Sequence, residues 1–135
     1  MSTKLFEEQV AIITGAGQGI GFEIAKQLAL KGASVILNDL NEDLASQASS
    51  AIRAQGGTCI SYPGDSSNVD IINGMVAEAV KCYGKITLVV ANAGITLFGD
   101  FFEYPVESLR KVLEVNLMGS FLLTQAAAKQ MRVQK

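Results

Sequence analysis

The sequence contains no histidine, which excludes a Ser-His-Asp triad, a histidine general base and most zinc sites. Cysteine is scarce too: Cys59 and Cys82 stand too far apart for a Cys-x-x-Cys motif and read as small buried apolar residues, and no metal site is expected. No apolar run reaches the roughly 18 residues of a spanning helix, and the opening residues lack a signal-peptide hydrophobic stretch. A soluble cytoplasmic protein without a membrane partner is therefore expected. Basic residues do not cluster; 11 Lys and Arg against 13 Asp and Glu leave a formal net charge of −2. Nucleic-acid binding needs a concentrated positive patch to displace counterions, so no nucleic-acid partner is expected. Chemistry here must come from a cofactor, carboxylates, amides or hydroxyls.

What is present is a chain of 135 residues, 49% hydrophobic and 18% charged, enough for one compact ordered domain. Short β-branched runs alternate with helical patterns. Strands are expected at 10–14, 33–37, 58–62 and 86–91. Ile20, Ile24 and Leu28 form the apolar stripe of a first helix stopped by Gly32. Asn41 caps a second helix with Leu44, Ala48 and Ile52 in register, and the stretch Asp65 to Asn68 offers caps for a third. That third helix turns Ile72, Val76, Ala79, Val80 and Tyr83 inward and ends at Gly84. Pro105 suits the first turn of a long last helix to about Met131, apolar nearly all round and so expected to be buried on more than one side. The order βαβαβαβα implies a Rossmann-type doubly wound parallel sheet, first half, with strands ordered 3-2-1-4. Residues 1–135 then form one incomplete dinucleotide-binding domain, broken off within or just after the last helix.

Ligands in such sheets bind beyond the carboxyl ends of the strands. There Thr14-Gly15-Ala16-Gly17-Gln18-Gly19-Ile20-Gly21 joins the first strand to the first helix. Glycines let a pyrophosphate approach the backbone, and the helix N-terminus presents free N–H groups and partial positive charge. Gly21 allows close packing of the helix on the strand. The spacing is G-x-x-x-G-x-G with no Gly-Lys-Ser/Thr ending, which argues against a P-loop NTPase. Asp39 follows Gly15 by 24 residues, directly after the second strand, where a carboxylate accepts both hydroxyls of an adenosine ribose. A 2′-phosphate ~4 Å away would be repelled by about 4 kcal/mol at an effective dielectric near 20. Neighbouring Gln18, Asn38 and Leu40 carry no charge to offset that, so NAD is preferred over NADP. A glycine turn that is only punctuation and a merely solvated aspartate are the plainer alternatives.

Together these residues resemble the short-chain dehydrogenase/reductase family, over nearly the whole chain from about Glu8 to Lys135. Thr14 to Gly21 matches the family's glycine motif, which implies cofactor contacts at Gly15, Gln18, Gly19, Ile20 and Gly21, and at Asp39 and Leu40 after the second strand. Gly64-Asp65-Ser66 stands where members place an aspartate on the adenine amino group. Asn92-Ala93-Gly94 matches a motif beside the cofactor, although Ala91 departs from a frequent second asparagine. Val115-Asn116-Leu117 matches the segment whose asparagine helps form a proton relay, and Asn116 is the catalytic residue the resemblance implies. As a polar side chain in an apolar stretch, Asn116 is also expected to be buried and to need partners; a helix irregularity is the alternative.

The family's catalytic serine and its Tyr-x-x-x-Lys pair have no counterpart. Tyr62, Tyr83 and Tyr104 are followed four residues on by Ser66, Thr87 and Ser108. The resemblance implies reversible hydride transfer between an alcohol or carbonyl substrate and nicotinamide, a homo-oligomer through the last helix, and no turnover by this chain alone. A dinucleotide-binding module without catalysis is the second reading. An S-adenosylmethionine methyltransferase is the third, since Gly15, Gly17 and Gly19 also satisfy G-x-G-x-G. Phe98, Phe101 and Phe102 in the loop after Gly94 are expected to serve core or interface packing before a substrate wall.

Overall fold

A computed structural model describes residues 4–134. Four strands, β1 (Val10–Ile13), β2 (Ser34–Leu37), β3 (Thr58–Ser61) and β4 (Leu88–Val90), form a parallel sheet in the order β3-β2-β1-β4. Between them run α1 (Gly19–Leu30), α2 (Glu42–Ala54) and α3 (Val69–Tyr83). After β4 come a short 3₁₀ turn at Phe101–Glu103, α4 (Val106–Leu113), a π-helical turn (Glu114–Met118) and α5 (Gly119–Gln134).

Strand side chains alternate between two cores. Ala11, Ile13, Val35 and Leu37 face Ala25, Leu28, Ala45, Ala48 and Ile52 of α1 and α2. Val10, Ile12 and Ile36 face Ile72, Met75 and Ala79 of α3 and Leu123 and Ala127 of α5. The chain builds outward from β1 to β3, then returns to lay β4 on the other side of β1. Right-handed crossovers therefore put α3 on the opposite face from α1 and α2. That reversal opens a crevice between the carboxyl ends of β1 and β4.

The helix starts follow the sequence. Asn41 accepts from the Leu44 N–H at 3.0 Å, and Asn68 accepts from the Ile71 N–H at 3.1 Å. Gly84 ends α3 at φ 84°, left-handed backbone that glycine adopts without a Cβ clash. Several packing expectations are corrected. Ile20 is 76% exposed, and α1 buries Gly21, Ala25, Leu28 and Ala29 instead. The stripe of α2 is Ala45, Ala48, Ser49 and Ile52, with Leu44 half-buried, and α3 adds Met75 to its core face. Cys59 is buried but Cys82 is exposed. The last helix is one-sided: Val115, Gly119, Leu123 and Ala127 are buried, whereas Leu109, Leu113, Leu117, Met118 and Phe121 are exposed. Phe98, Phe101 and Phe102 stand in solvent and belong to no core.

Candidate cofactor-binding site

The crevice is a cleft of about 340 Å³ lined by parts of four loops. The loop after β1 is lashed to the segment after β4. Buried Thr14 accepts through Oγ1 from the N–H groups of Asn92 and Ala93, each at 3.1 Å. Asn92 Nδ2 donates to the carbonyls of Thr14 and Gly15, both at 3.1 Å. The two segments lie so close that a Cβ on Gly15 would sit 2.8 Å from Ala93 Cα, and Gly15 also has φ 62°. Only glycine fits both demands.

Asp39 closes the far side. Its Oδ2 accepts from the Gly17 N–H at 2.9 Å and its Oδ1 from the Asn41 N–H at 3.0 Å. Those bonds fix the carboxylate and leave each oxygen a lone pair for a ligand. A Cβ on Gly17 would stand 2.7 Å from Asp39 Oδ2, so this glycine sets the distance from loop to carboxylate. Gly19, by contrast, faces open space at the start of α1. The first turn there reads Gly19-Ile20-Gly21-Phe22 without a carboxylate, and Gln18 gives it no side-chain cap. An anion would satisfy both the free N–H groups and the helix dipole.

Gly64 N–H donates to Asp39 O at 3.0 Å, which brings the next residue, Asp65, to the same side of the cleft. Its Oδ1 accepts from the Ser67 hydroxyl at 2.7 Å and the Ser67 N–H at 2.8 Å, and Lys111 Nζ lies 3.8 Å from Oδ2. The Ser67 hydroxyl, then its N–H, hold the carboxyl below the usual aspartate range, with Lys111 adding to them. Asn116 is exposed rather than buried, yet it is fully engaged: Oδ1 accepts from Ile95 N–H at 2.8 Å and Nδ2 donates to Ile95 O at 2.9 Å. It sits in the π-helical turn, so the irregularity named as the alternative is real.

Of the residues singled out in the sequence, Gly15, Gln18, Asp39, Leu40, Asp65, Ser66, Asn92, Ala93 and Gly94 line the cleft together. Gly19, Ile20 and Gly21 do not; Gly21 is buried against the Asn92 amide and the Gly15 carbonyl rather than against a strand. Asn116 acts one residue removed, through Ile95, which does line it. Sequence reasoning missed Asn38 and Lys111. Asn38 is buried; its Nδ2 donates to the carbonyls of Tyr62 and Gly64, both at 3.0 Å, and its Oδ1 faces the Gly15 N–H at 3.4 Å. A lone polar side chain between an apolar strand and an acid was the signal for it, whereas Lys111 has none outside the fold.

Fold and cleft define a Rossmann-like α/β domain with its binding crevice at the switch point of the sheet. Residues 9–135 match the short chain dehydrogenase family, and the chain belongs to it. It is 38% identical over 129 residues to an L-rhamnose 1-dehydrogenase (NAD(P)(+)) of Sphingomonas sp. (strain SKA58), covering 95% of this chain and 51% of that protein. It is 35% identical over 134 residues to elsinochrome reductase 1 of Elsinoe fawcettii, covering 98% and 50%. A short-chain type dehydrogenase/reductase from Mycobacterium marinum superposes with a TM-score of 0.91 at 32% identity, over 99% of this chain and 56% of the other. An NAD⁺-bound xylitol dehydrogenase gives 0.90 at 32% identity, over 96% and 50%. The chain thus spans about half the length of the curated relatives it matches. Among the described residues no helix is long and apolar enough to cross a membrane, and no group of three or more acidic or cysteine side chains could hold a metal ion.

Proposed function

We propose that this chain binds NAD(H) in the β1–β4 crevice and is the cofactor-binding part of an NAD-dependent oxidoreductase acting on a small alcohol or carbonyl. The observation that carries the reading is Asp39, a lining residue of the cleft whose carboxylate is held by the Gly17 and Asn41 N–H groups. A carboxylate so fixed accepts the two ribose hydroxyls of NAD and repels a 2′-phosphate. The site fits the rest of a dinucleotide as well. The open space at Gly19 and the uncapped start of α1 receive the pyrophosphate, Asp65 meets the adenine amino group, and Asn92, Ala93 and Gly94 flank the nicotinamide. Bound nicotinamide supplies the hydride chemistry; the protein binds, orients and excludes water.

No residue of Tyr62, Tyr83 or Tyr104 stands in a Tyr-x-x-x-Lys pattern, and Tyr104 spends its hydroxyl on Leu97 O in a short hydrogen bond. That favours a second reading, in which this chain by itself binds without turning substrate over. A second copy of the chain is the partner expected on the exposed face of α4 and α5, and the free thiols of Cys59 and Cys82 suit the reducing cytoplasm. The test is thermal shift with NADH, NADPH and S-adenosylmethionine. NADH is expected to raise the melting temperature most and S-adenosylmethionine not at all; equal protection by NADH and NADPH would remove the role given to Asp39.

A further inference from the structure

The π-helical turn touches both ends of the cleft. Toward Asp65, Glu114 Oε1 lies 3.2 Å from Ser67 Oγ, and Gly119 packs so closely that a Cβ there would stand 3.2 Å from Ser66 O. Toward the Asn92-Ala93-Gly94 segment, Asn116 brackets Ile95 with two hydrogen bonds, and a Cβ on Gly94 would lie 3.3 Å from Asn116 Oδ1. A π turn departs from helical pairing and persists where its surroundings hold it. Here those surroundings are the two loops that meet opposite ends of a ligand.

The link on the Asp65 side has two positions. Ser67 has one hydroxyl proton and two carboxylate acceptors, Asp65 Oδ1 at 2.7 Å and Glu114 Oε1 at 3.2 Å. The shorter contact takes it when the cleft is free. A ligand amino group donating to Asp65 competes for that carboxylate, and the proton then turns to Glu114, drawing the π turn toward the loop.

We propose that Glu114 is a positioning residue, and that the Ser67 proton shared between Asp65 and Glu114 ties adenine occupancy at one end of the cleft to the setting of Asn116 at the other. The inference rests on the dinucleotide reading above. It is tested on the full ¹⁵N-labelled chain with AMP, which carries the adenine and lacks nicotinamide. In the unmutated chain AMP shifts the Gly17 and Ser66 amides, shifts the Asn116 side-chain amide, and slows exchange of the Ile95 N–H about threefold or more. Glu114→Ala keeps the Gly17 and Ser66 shifts but loses the response at Asn116 and Ile95. Glu114→Gln, which retains an acceptor, restores it. A merely structural Glu114 would lower the melting temperature and leave the Ile95 response intact. An unchanged response in Glu114→Ala, or silence at Ile95 while Ser66 shifts, overturns this proposal alone. No shift at Gly17 and Ser66 with either AMP or NADH overturns the dinucleotide reading and this proposal with it.

Discussion

The proposed binding of a dinucleotide puts affinity and selectivity on single residues of the cleft, Asp39 first among them. Asp39→Ala removes the acceptor proposed for two ribose hydroxyls and is expected to weaken NADH binding by about 1.5–3 kcal/mol and to narrow the proposed preference over NADPH. Isothermal titration of both cofactors measures it; an unaltered NADH affinity would show that the carboxylate serves only its two backbone donors. Tyr83 makes a different prediction. Burial, with the Cys59 and Cys82 thiols nearby, pushes its phenol up from 10.0 to about 12. An acid whose folded value is raised leaves stability level up to the unfolded value near pH 10 and erodes it between there and pH 12, because the unfolded chain loses its proton first. Ultraviolet titration is expected to show one tyrosine ionising late, and Tyr83→Phe to abolish that phase. At this scale Asp39 was legible because its place after a strand is diagnostic. Asn38, one residue earlier, left a signal in its polarity after an apolar strand, but its partners Tyr62 and Gly64 arrive only with the fold.

Elements show where periodicity suffices and where it fails. The caps at Asn41 and Asn68 and the stop at Gly84 were readable because each works within one helical turn. Ile20 was misplaced by the same logic: it keeps the spacing of an inward stripe, but Gly21 takes the buried face of the first turn of α1 and Ile20 stands in solvent. The π-helical turn leaves no periodic trace, since one inserted residue in an apolar stretch still looks apolar. Its helix carries Leu109, Leu113, Leu117, Met118 and Phe121 exposed along one side. Left uncovered, such a face associates. Light scattering of the chain at ~100 μM is expected to report dimers or larger species. A monodisperse monomer would assign that face to something other than a second copy.

For the whole molecule the strand order 3-2-1-4 was legible from alternation, the crossover rule and the doubly wound pattern taken together. The activity was less so. The acid/base group that the family resemblance calls for is not among the tyrosines of residues 1–135, and the chain spans half the length of its relatives. The chain alone is accordingly expected to bind NADH and to show no dehydrogenase turnover with sugar alcohols or ketones; robust turnover would reveal a proton donor unlike the family's. The lashing of Thr14 to Asn92 has one more consequence, for the order in which the molecule comes into being. These partners are 78 residues apart, and β1 must wait for β4 before the seam can close. The cleft therefore arises only with that long-range pairing, after the local helices and the β1–β2–β3 pairings can already form. A molecule able to hold a ligand there has, by that fact, paired β4 with β1.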